Sequence, residues 1–247
     1  MDPQLFAMFR VLEERHWWFV ARREILFALA KSLAPPRAAL LDVGCGTGFF
    51  LARAKEHFAI VGVDPSPIAI QLCDDLGLDC VLPGTATDLS SVSEQHFDIV
   101  TLLDVIEHVD DDVAALQTAA DALRPGGRVI VTVPAFQFLW SAHDDVNHHK
   151  RRYTTNGLGT AMRRAGLEPI YLTYFNSYLF PIAFVERLAK RALGLDKGAD
   201  LSLPPTIVNA AMRRVFLAER SRLCSFRTFP VGLSVLAVGR REGGPSA

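Results

Sequence analysis

The chain has 247 residues, half of them apolar, and a formal net charge of −1. That size suits one α/β domain with insertions, and the near-neutral balance supplies no overall field that would recruit nucleic acid. The charge is uneven, however. Residues 176–229 hold nine Lys or Arg against four acids, a local +5 that leaves −6 on the remainder, and such asymmetry can mark a surface that meets a membrane or an anionic partner.

Cys45, Cys73, Cys80 and Cys224 form no CxxC pair and no metal-ligand spacing, which fits reduced thiols in a cytoplasmic enzyme. Acids and bases are mixed through the first 24 residues, so no signal peptide is read there. No apolar run approaches the roughly 18 residues that a spanning helix needs.

In chain order, Leu5, Phe6, Phe9, Leu12, Phe19, Ile25, Leu26 and Leu29 recur at helical spacing and predict a helical leader over 4–33, ended by Pro35-Pro36. Residues 38–43 read as a buried strand that stops at Gly44. A helix follows over 49–56, a strand over 59–63 ending at Asp64, and a helix over 67–76. Strands are expected over 97–103 and 128–133, with a helix over 113–123 between them and the turn Pro125-Gly126-Gly127 before the second. Beyond Pro134, residues 135–153 are aromatic and rich in His and Asp. A helix over 155–165, a strand over 169–175, two apolar and basic helices over about 178–193 and 205–222, and a last strand over 232–238 complete the chain. Alternating strands and helices imply a Rossmann-like, doubly wound, mostly parallel seven-stranded sheet, with ligands at the carboxyl ends of its strands. We divide the chain into a leader or cap (1–36), a core (37–175), a helical insertion (176–229), and a last strand with a disordered tail (230–247).

Asp42-Val43-Gly44-Cys45-Gly46-Thr47-Gly48 sits where a strand turns into a helix. Glycines there admit a tight turn and let a ligand approach the backbone. Nicotinamide sites favour G-x-G-x-x-G with pyrophosphate over the helix N-terminus. Here the spacing is G-x-G-x-G, and Asp42 two residues earlier would repel pyrophosphate but suits an ammonium group, such as that of S-adenosylmethionine (SAM). Asp64, about 20 residues on, is placed to accept ribose hydroxyls; capping the next helix is the other role open to it.

Residues 38–134 resemble class I SAM-dependent methyltransferases. The matching stretches are Leu41 to Gly48, Val63-Asp64-Pro65-Ser66, Phe97-Asp98-Ile99-Val100, Asp104-Val105-Ile106-Glu107-His108-Val109 and Leu123-Arg124-Pro125-Gly126-Gly127. The resemblance implies that Gly44, Cys45, Gly46 and Gly48 wrap the methionine end, that Asp64 and Pro65 meet the ribose, that Thr85 and Ala86 flank the adenine, and that Leu103 and Asp104 close the pocket floor. The segment Pro83-Gly84-Thr85-Ala86-Thr87 lacks the acid that often contacts the adenine amine. His16-Trp17-Trp18-Phe19-Val20-Ala21-Arg22-Arg23 resembles a leader of bacterial methyltransferases of the ubiquinone O-methyltransferase-like group, where it covers the pocket. Arg22 would then pair with the methionine carboxylate; a core anchor with a surface arginine is the alternative. Some members of that group hold a divalent cation at the segment matching Asp104, Glu107 and His108, while in others it shapes the pocket. No metal is assigned to this chain.

The loop His143-Asp144-Asp145-Val146-Asn147-His148-His149 follows the strand ending at Val133, beside the expected methyl group. His143 and His148 are the candidate bases, since imidazole titrates near neutral pH; a solvated loop, or a cation held by His143, Asp144 and His148, are the alternatives. No Asn-Pro-Pro-aromatic or Asp-Pro-Pro-aromatic tetrapeptide follows the fourth strand, which argues against nucleobase and glutamine acceptors. The sequence thus predicts methyl transfer to O or N of a small-molecule or lipid-linked acceptor. A non-catalytic SAM-binding partner subunit and an RNA methyltransferase are the weaker alternatives. The insertion is expected to act as a lid, a homodimer contact or a peripheral membrane contact.

Overall fold

The computed structural model describes residues 10–93, 96–193 and 202–241. The expectations at Leu5, Phe6, Phe9, Asp196, Lys197, Asp200 and the C-terminal tail beyond Arg241 lie outside these, as does the side chain of Arg191. Seven strands form one sheet: β1 (Ala39–Val43), β2 (Ala59–Asp64), β3 (Val81–Pro83), β4 (Phe97–Leu103), β5 (Leu123–Pro134), β6 (Leu167–Phe175) and β7 (Ser234–Arg241). Their order is β3-β2-β1-β4-β5-β7-β6. All pairs from β3 to β5 are parallel, and β7 runs antiparallel to both its neighbours. This is the Rossmann-like arrangement the sequence predicts.

The apolar runs become strands because both faces of the sheet are covered. Leu40, Leu41, Ile99, Val100, Leu102, Val129, Ile130 and Val131 are all buried. Flanking helices supply the cover: α1 (Trp17–Leu33), α2 (Phe49–Ala54), α3 (Pro67–Asp75), α4 (Asp112–Ala122), the short α5 (Ala142–Val146) and α6 (Thr155–Arg164). Between β6 and β7 come α7 (Phe180–Ala192), α8 (Thr206–Leu217) and α9 (Arg220–Cys224).

Four of the elements that the sequence predicts differ from expectation. The leader is not continuous: residues 10–15 are helical, and His16 breaks the run in an extended conformation, its Nδ1 accepting the Trp18 N–H at 3.3 Å. Asn209 of α8 stabilises this break, accepting from Trp17 N and donating to the Arg15 carbonyl, each at 2.8 Å. The segment expected as one helix over 205–222 is two, parted at Ala218 and Glu219, where the buried Glu219 carboxylate turns away to accept the N–H groups of Ser177 and Tyr178. The turn at Pro125-Gly126-Gly127 is absorbed into β5, which shifts register against β4 there. The last strand lies two to three residues later than expected.

Ile25, Leu26 and Leu29 of α1 are fully buried, so this helix is part of the core, and the leader reaches the residues just beyond β1 and β4 through Glu13 to Thr47 and Arg22 to Asp104.

Candidate active site

β1 and β4 are adjacent, and their connections leave to opposite sides, which opens a crevice at their carboxyl ends. The chain leaves β1 through Gly44 (φ +71°), whose N–H, like that of Cys45, points back to the Val63 carbonyl (2.7 and 3.2 Å). A Cβ at Gly44 would meet Val105 Cγ2 at 2.7 Å, so the turn packs too tightly for a side chain. Gly46 (φ +55°) is the opposite case: a Cβ there would meet nothing within 4 Å. The backbone at Gly46 faces open space, where a ligand can reach it. Gly48 starts α2 without a side-chain cap, leaving N–H groups at its first turn.

Three acids surround this turn. Asp42 is buried on β1 and accepts the Thr101 hydroxyl. Burial pushes its carboxyl up to about 7, against the pull of Thr101 and of the Arg22 charge. Asp64 accepts the N–H of Gly46 through Oδ2 and that of Ser66 through Oδ1, both at 2.9 Å. Ser66, not Asp64, is the N-cap residue of α3. Each oxygen of Asp64 retains acceptor capacity. Burial raises its carboxyl pKa, and the two N–H bonds oppose that rise. The third acid is Glu13 of the leader, which the sequence reading did not single out. Its carboxylate accepts the Thr47 hydroxyl, closing the leader onto the glycine turn. Open space at Gly46, bordered by carboxylates, fits an ammonium and a ribose diol.

The remaining positions line the same edge. Pro65 is exposed and Leu103 half-buried at the exits of β2 and β4. Thr85 is exposed and Ala86 buried, in a tight turn closed by reciprocal bonds between Thr85 and Asp88 (3.0 and 3.1 Å). Arg22 lies against Asp104 rather than free over the glycine turn. Its Nη2 reaches Asp104 Oδ2 at 2.8 Å and Thr132 Oγ1 at 2.7 Å, its plane sits 5.2 Å from the Trp18 ring, and its buried Nε has no partner. Asp104, Phe136 and Asn176, just beyond β4, β5 and β6, all have positive φ (59°, 56° and 55°). Asn and Asp tolerate that conformation, but Phe rarely adopts it. Strain of this kind gathers where a site over-determines the backbone.

On the acceptor side the polar loop folds around one carboxylate. Asp144, fully buried, accepts from Arg152 Nε and Nη2 (2.8 Å each), His149 Nδ1 (2.8 Å) and the Ser141 N–H (2.8 Å). Burial alone would raise its carboxyl pKa, but the bonds from His149 and Arg152 and the Arg152 charge hold it well below the usual range. The His149 ring stands 4.7 Å from that of His108 and 6.1 Å from that of His143. Glu107 is fully buried and both its oxygens lack a partner. Burial, then the nearby Asp104 charge, pushes its carboxyl well up. Among the described residues, Glu107, His108 and His149 bring one ligand-capable atom each within 4.8 Å of the others.

The two expected bases are placed differently. His143 is in the network, beside Asn147 and His149. His148 is exposed, on a residue of positive φ (54°). His149, Arg152, Thr132 and Glu13 hold candidate site residues in these networks, and the sequence reading did not single them out. One usable signal was present: Ser141 and Asp144 have the spacing of a capping box, which places a carboxylate at a helix start.

His108 and His143 are each driven down to about 4, mainly by burial. Their folded pKa lies below the unfolded value of about 6.5, so the unfolded state binds more protons between those values, and stability falls as the pH drops through that window. At about pH 5 each contributes up to about 2 kcal/mol of loss. Urea unfolding at about pH 7.5 and about pH 5 measures it; equal midpoints would contradict the neutral, buried assignment, and His143→Phe should remove about half of the difference.

A family model described as a methyltransferase domain matches residues 15–172, more than half of the chain. The chain belongs to this family. That family is one of class I SAM-dependent methyltransferases. Among curated relatives it is similar to the ubiquinone biosynthesis O-methyltransferase of Azorhizobium caulinodans (38% identity over 112 residues, 42% of this chain and 43% of that protein). It is also similar to the protein of that name from Idiomarina loihiensis (28% over 151 residues, 52% and 59%). The match spans 43% and 59% of the length of these relatives, less than two thirds of either. Among solved structures, a SAM-dependent methyltransferase of Thermotoga maritima has a TM-score of 0.61 at 22% identity, covering 96% of this chain and 98% of that one. A methyltransferase in complex with the Haloferax volcanii Trm112 activator has 0.63 at 21%, covering 99% and 97%. At those identities the likeness is one of fold.

Proposed function

We propose that this methyltransferase acts on a hydroxyl of an aromatic or lipid-linked small molecule presented at an anionic membrane surface. The observation that supports it most is the wall beside the histidine loop. Phe136 stacks on Tyr174 (4.7 Å) and Phe138 (5.1 Å), and Phe180 and Phe184 of α7 stack on each other and meet that pair edge-on. An apolar, aromatic wall next to imidazoles suits an aromatic acceptor with an ionisable hydroxyl. The curated relatives named above are O-methyltransferases by name, which supports oxygen as the nucleophile.

SAM supplies an electrophilic methyl group on a sulfonium. The chain's own part is to bind and align. In this reading Gly44, Cys45, Gly46 and Gly48 take the methionine end, with Asp42 and Glu13 facing its ammonium. Asp64 and Pro65 meet the ribose, Thr85 and Ala86 the adenine, and Leu103 and Asp104 close the floor. Arg22 holds Asp104 in place. Alignment of the nucleophile with the methyl supplies most of the acceleration.

The membrane part rests on α7 and α8. Ile182, Val185 and Leu188 lie three residues apart on one face of α7 and are 66%, 64% and 50% exposed; Ile207 at the start of α8 is 85% exposed. Arg213, Arg214 and Arg220 are exposed nearby in sequence. Apolar side chains edged by arginine suit an interfacial helix. No helix among the described residues is long and apolar enough to cross a membrane. Co-sedimentation with anionic vesicles tests the proposal. Binding should weaken with salt, and Arg213→Gln with Arg214→Gln should lower the partition roughly 30-fold, at about 1 kcal/mol per charge. Transfer of labelled methyl from SAM into solvent-extractable products of those vesicles is the paired assay. No binding at low salt would leave α7 and α8 as a lid or a contact between two copies.

A further inference from the structure

We infer that Asn209 of α8 is a positioning residue for SAM: it sets the angle at which the leader breaks and so seats Glu13 on the glycine turn. The inference rests on the placement of the SAM ammonium proposed above.

The leader needs an outside partner at its break. A helix end leaves backbone groups that the helix itself cannot pair, and two ends meet at His16: the last carbonyls of the helix over 10–15 and the first N–H groups of α1. The Asn209 amide serves one of each. Its Oδ1 accepts the Trp17 N–H and its Nδ2 donates to the Arg15 carbonyl, each at 2.8 Å. Two bonds from one planar amide fix the two ends relative to each other. The helix that carries the amide is anchored in turn. Phe216, two turns on from Asn209, is fully buried, edge-on to Trp17 (6.1 Å) and 5.9 Å from the ring of Phe175 at the end of β6.

Both arms of the leader reach the cofactor edge. Before the break, Glu13 accepts the hydroxyl of Thr47, between Gly46 and Gly48, and Arg10 pairs with Asp75 at the end of α3 (3.2 Å). After it, Arg22 pairs with Asp104 just beyond β4 (2.8 Å). Arg23 joins the two arms by donating to the Glu13 carbonyl at 2.9 Å, so a change of angle at His16 is carried to Glu13.

Seating Glu13 there is opposed by its surroundings. Burial raises its carboxyl pKa, against the Thr47 bond and the Arg22 and Arg23 charges. Burial raises that of Asp42 as well, and the Asp64 and Glu13 charges add to the rise. Three carboxylates around one turn disfavour one another until a cation such as an ammonium joins them. Asn209 holds the leader in place against that repulsion. Without it the leader relaxes, SAM must restore the seated geometry on binding, and the apparent affinity falls in proportion to the fraction of chains still seated.

Calorimetry of SAM with the full chain tests this and needs no methyl acceptor. Asn209→Ala should weaken SAM binding about 10-fold, as expected if the relaxed leader comes to dominate by about that ratio. Two further variants separate positioning from stability. Met162→Ala empties a buried position against Gly239 of β7; it should lower the melting temperature and leave SAM affinity within a factor of about two. Glu13→Gln should itself weaken SAM binding, and in that background Asn209→Ala should cost no more than about 3-fold, because residues that act through one another are not additive. Equal losses from Asn209→Ala in the two backgrounds overturn the inference, as does a loss in Met162→Ala as large as that in Asn209→Ala. Unchanged affinity in Asn209→Ala beside a loss in Glu13→Gln overturns the inference alone. Unchanged affinity in Glu13→Gln removes the ammonium placement proposed above, and the inference with it. Should the alanine variant not fold, Asn209→Asp, which keeps the acceptor for Trp17 and loses the donor to Arg15, takes its place in the same cycle, with the same expected dependence on Glu13.

Discussion

Replacing Asp64 by Ala should weaken SAM binding about 5- to 150-fold, the range set by losing about 1–3 kcal/mol of hydrogen bonding at a buried site. The reason is double. Its carboxylate is the acceptor proposed for the ribose, and it also holds the Gly46 N–H at 2.9 Å, so the substitution releases the glycine turn at the one position that opens to a ligand. Asp64→Asn separates the two contributions. Oxygen on one side of the amide can keep the Ser66 bond, but its nitrogen then meets the Gly46 N–H, donor against donor. Both variants should therefore bind poorly, while Ser66→Ala, which leaves the Asp64 carboxylate intact, should bind SAM nearly as tightly as the unmodified chain. Calorimetry gives the affinities, and a melting curve without ligand shows that the fold persists. An unchanged affinity in Asp64→Ala would remove this residue from the site.

The second large effect is on stability. Arg152→Ala should cost about 3–5 kcal/mol, because it strips the bidentate partner from a carboxylate that is wholly out of water and leaves an uncompensated charge. The side chains of both partners are nearly inaccessible, Arg152 at 3% and Asp144 at 0%. For a chain of this length that loss lowers the melting temperature by about 6–20 °C. Arg152→Lys should recover little of it, since an ammonium cannot reproduce the two parallel bonds to the carboxylate or the third to the Ala135 carbonyl. Asp144→Asn should be milder than Arg152→Ala, because the amide still accepts at one oxygen. A change under about 1 kcal/mol for Arg152→Ala would mean that water reaches Asp144.

The parallel half of the sheet was legible because its strands are buried on both faces and stand out as apolar runs closed by Gly44, Asp64 and Asp104. β3 was not read as an element: Val81–Pro83 is three residues long and sits at the sheet edge, where Pro83 needs no donor. α5 was hidden for another reason. It is held by the Ser141 and Asp144 cap and by Arg152, with little apolar period to detect. The break at His16 could not be read locally either, since Asn209 stabilises it from the far end of the chain.

The cofactor side of the site follows the same division. Asp42, Gly44, Gly46, Gly48 and Asp64 lie within one strand–turn–helix unit and the strand beside it, so spacing alone brings them together. Three histidines of the acceptor loop, by contrast, are alike in sequence. What distinguishes His149 is which ring nitrogen meets Asp144, and that depends on Arg152, three residues later, folding back under α5. Within the leader, Glu13 accepts the hydroxyl of Thr47 in the glycine turn, a contact that no local pattern announces. Arg22, expected at a carboxylate of the cofactor, meets one belonging to the protein, Asp104.

The Asn209 clamp bears on how the chain is made. It joins Trp17 and Arg15 to a residue 192 and 194 positions downstream. A ribosome adding about 5–20 residues per second takes about 10–40 s to cover that interval. Throughout it, the leader has been synthesised while the amide that fastens its break has not. Trp17 meets its partner Phe216 of α8 only in the same late interval. The leader is therefore fastened to α8 among the last events of biosynthesis, after the parallel strands have been made.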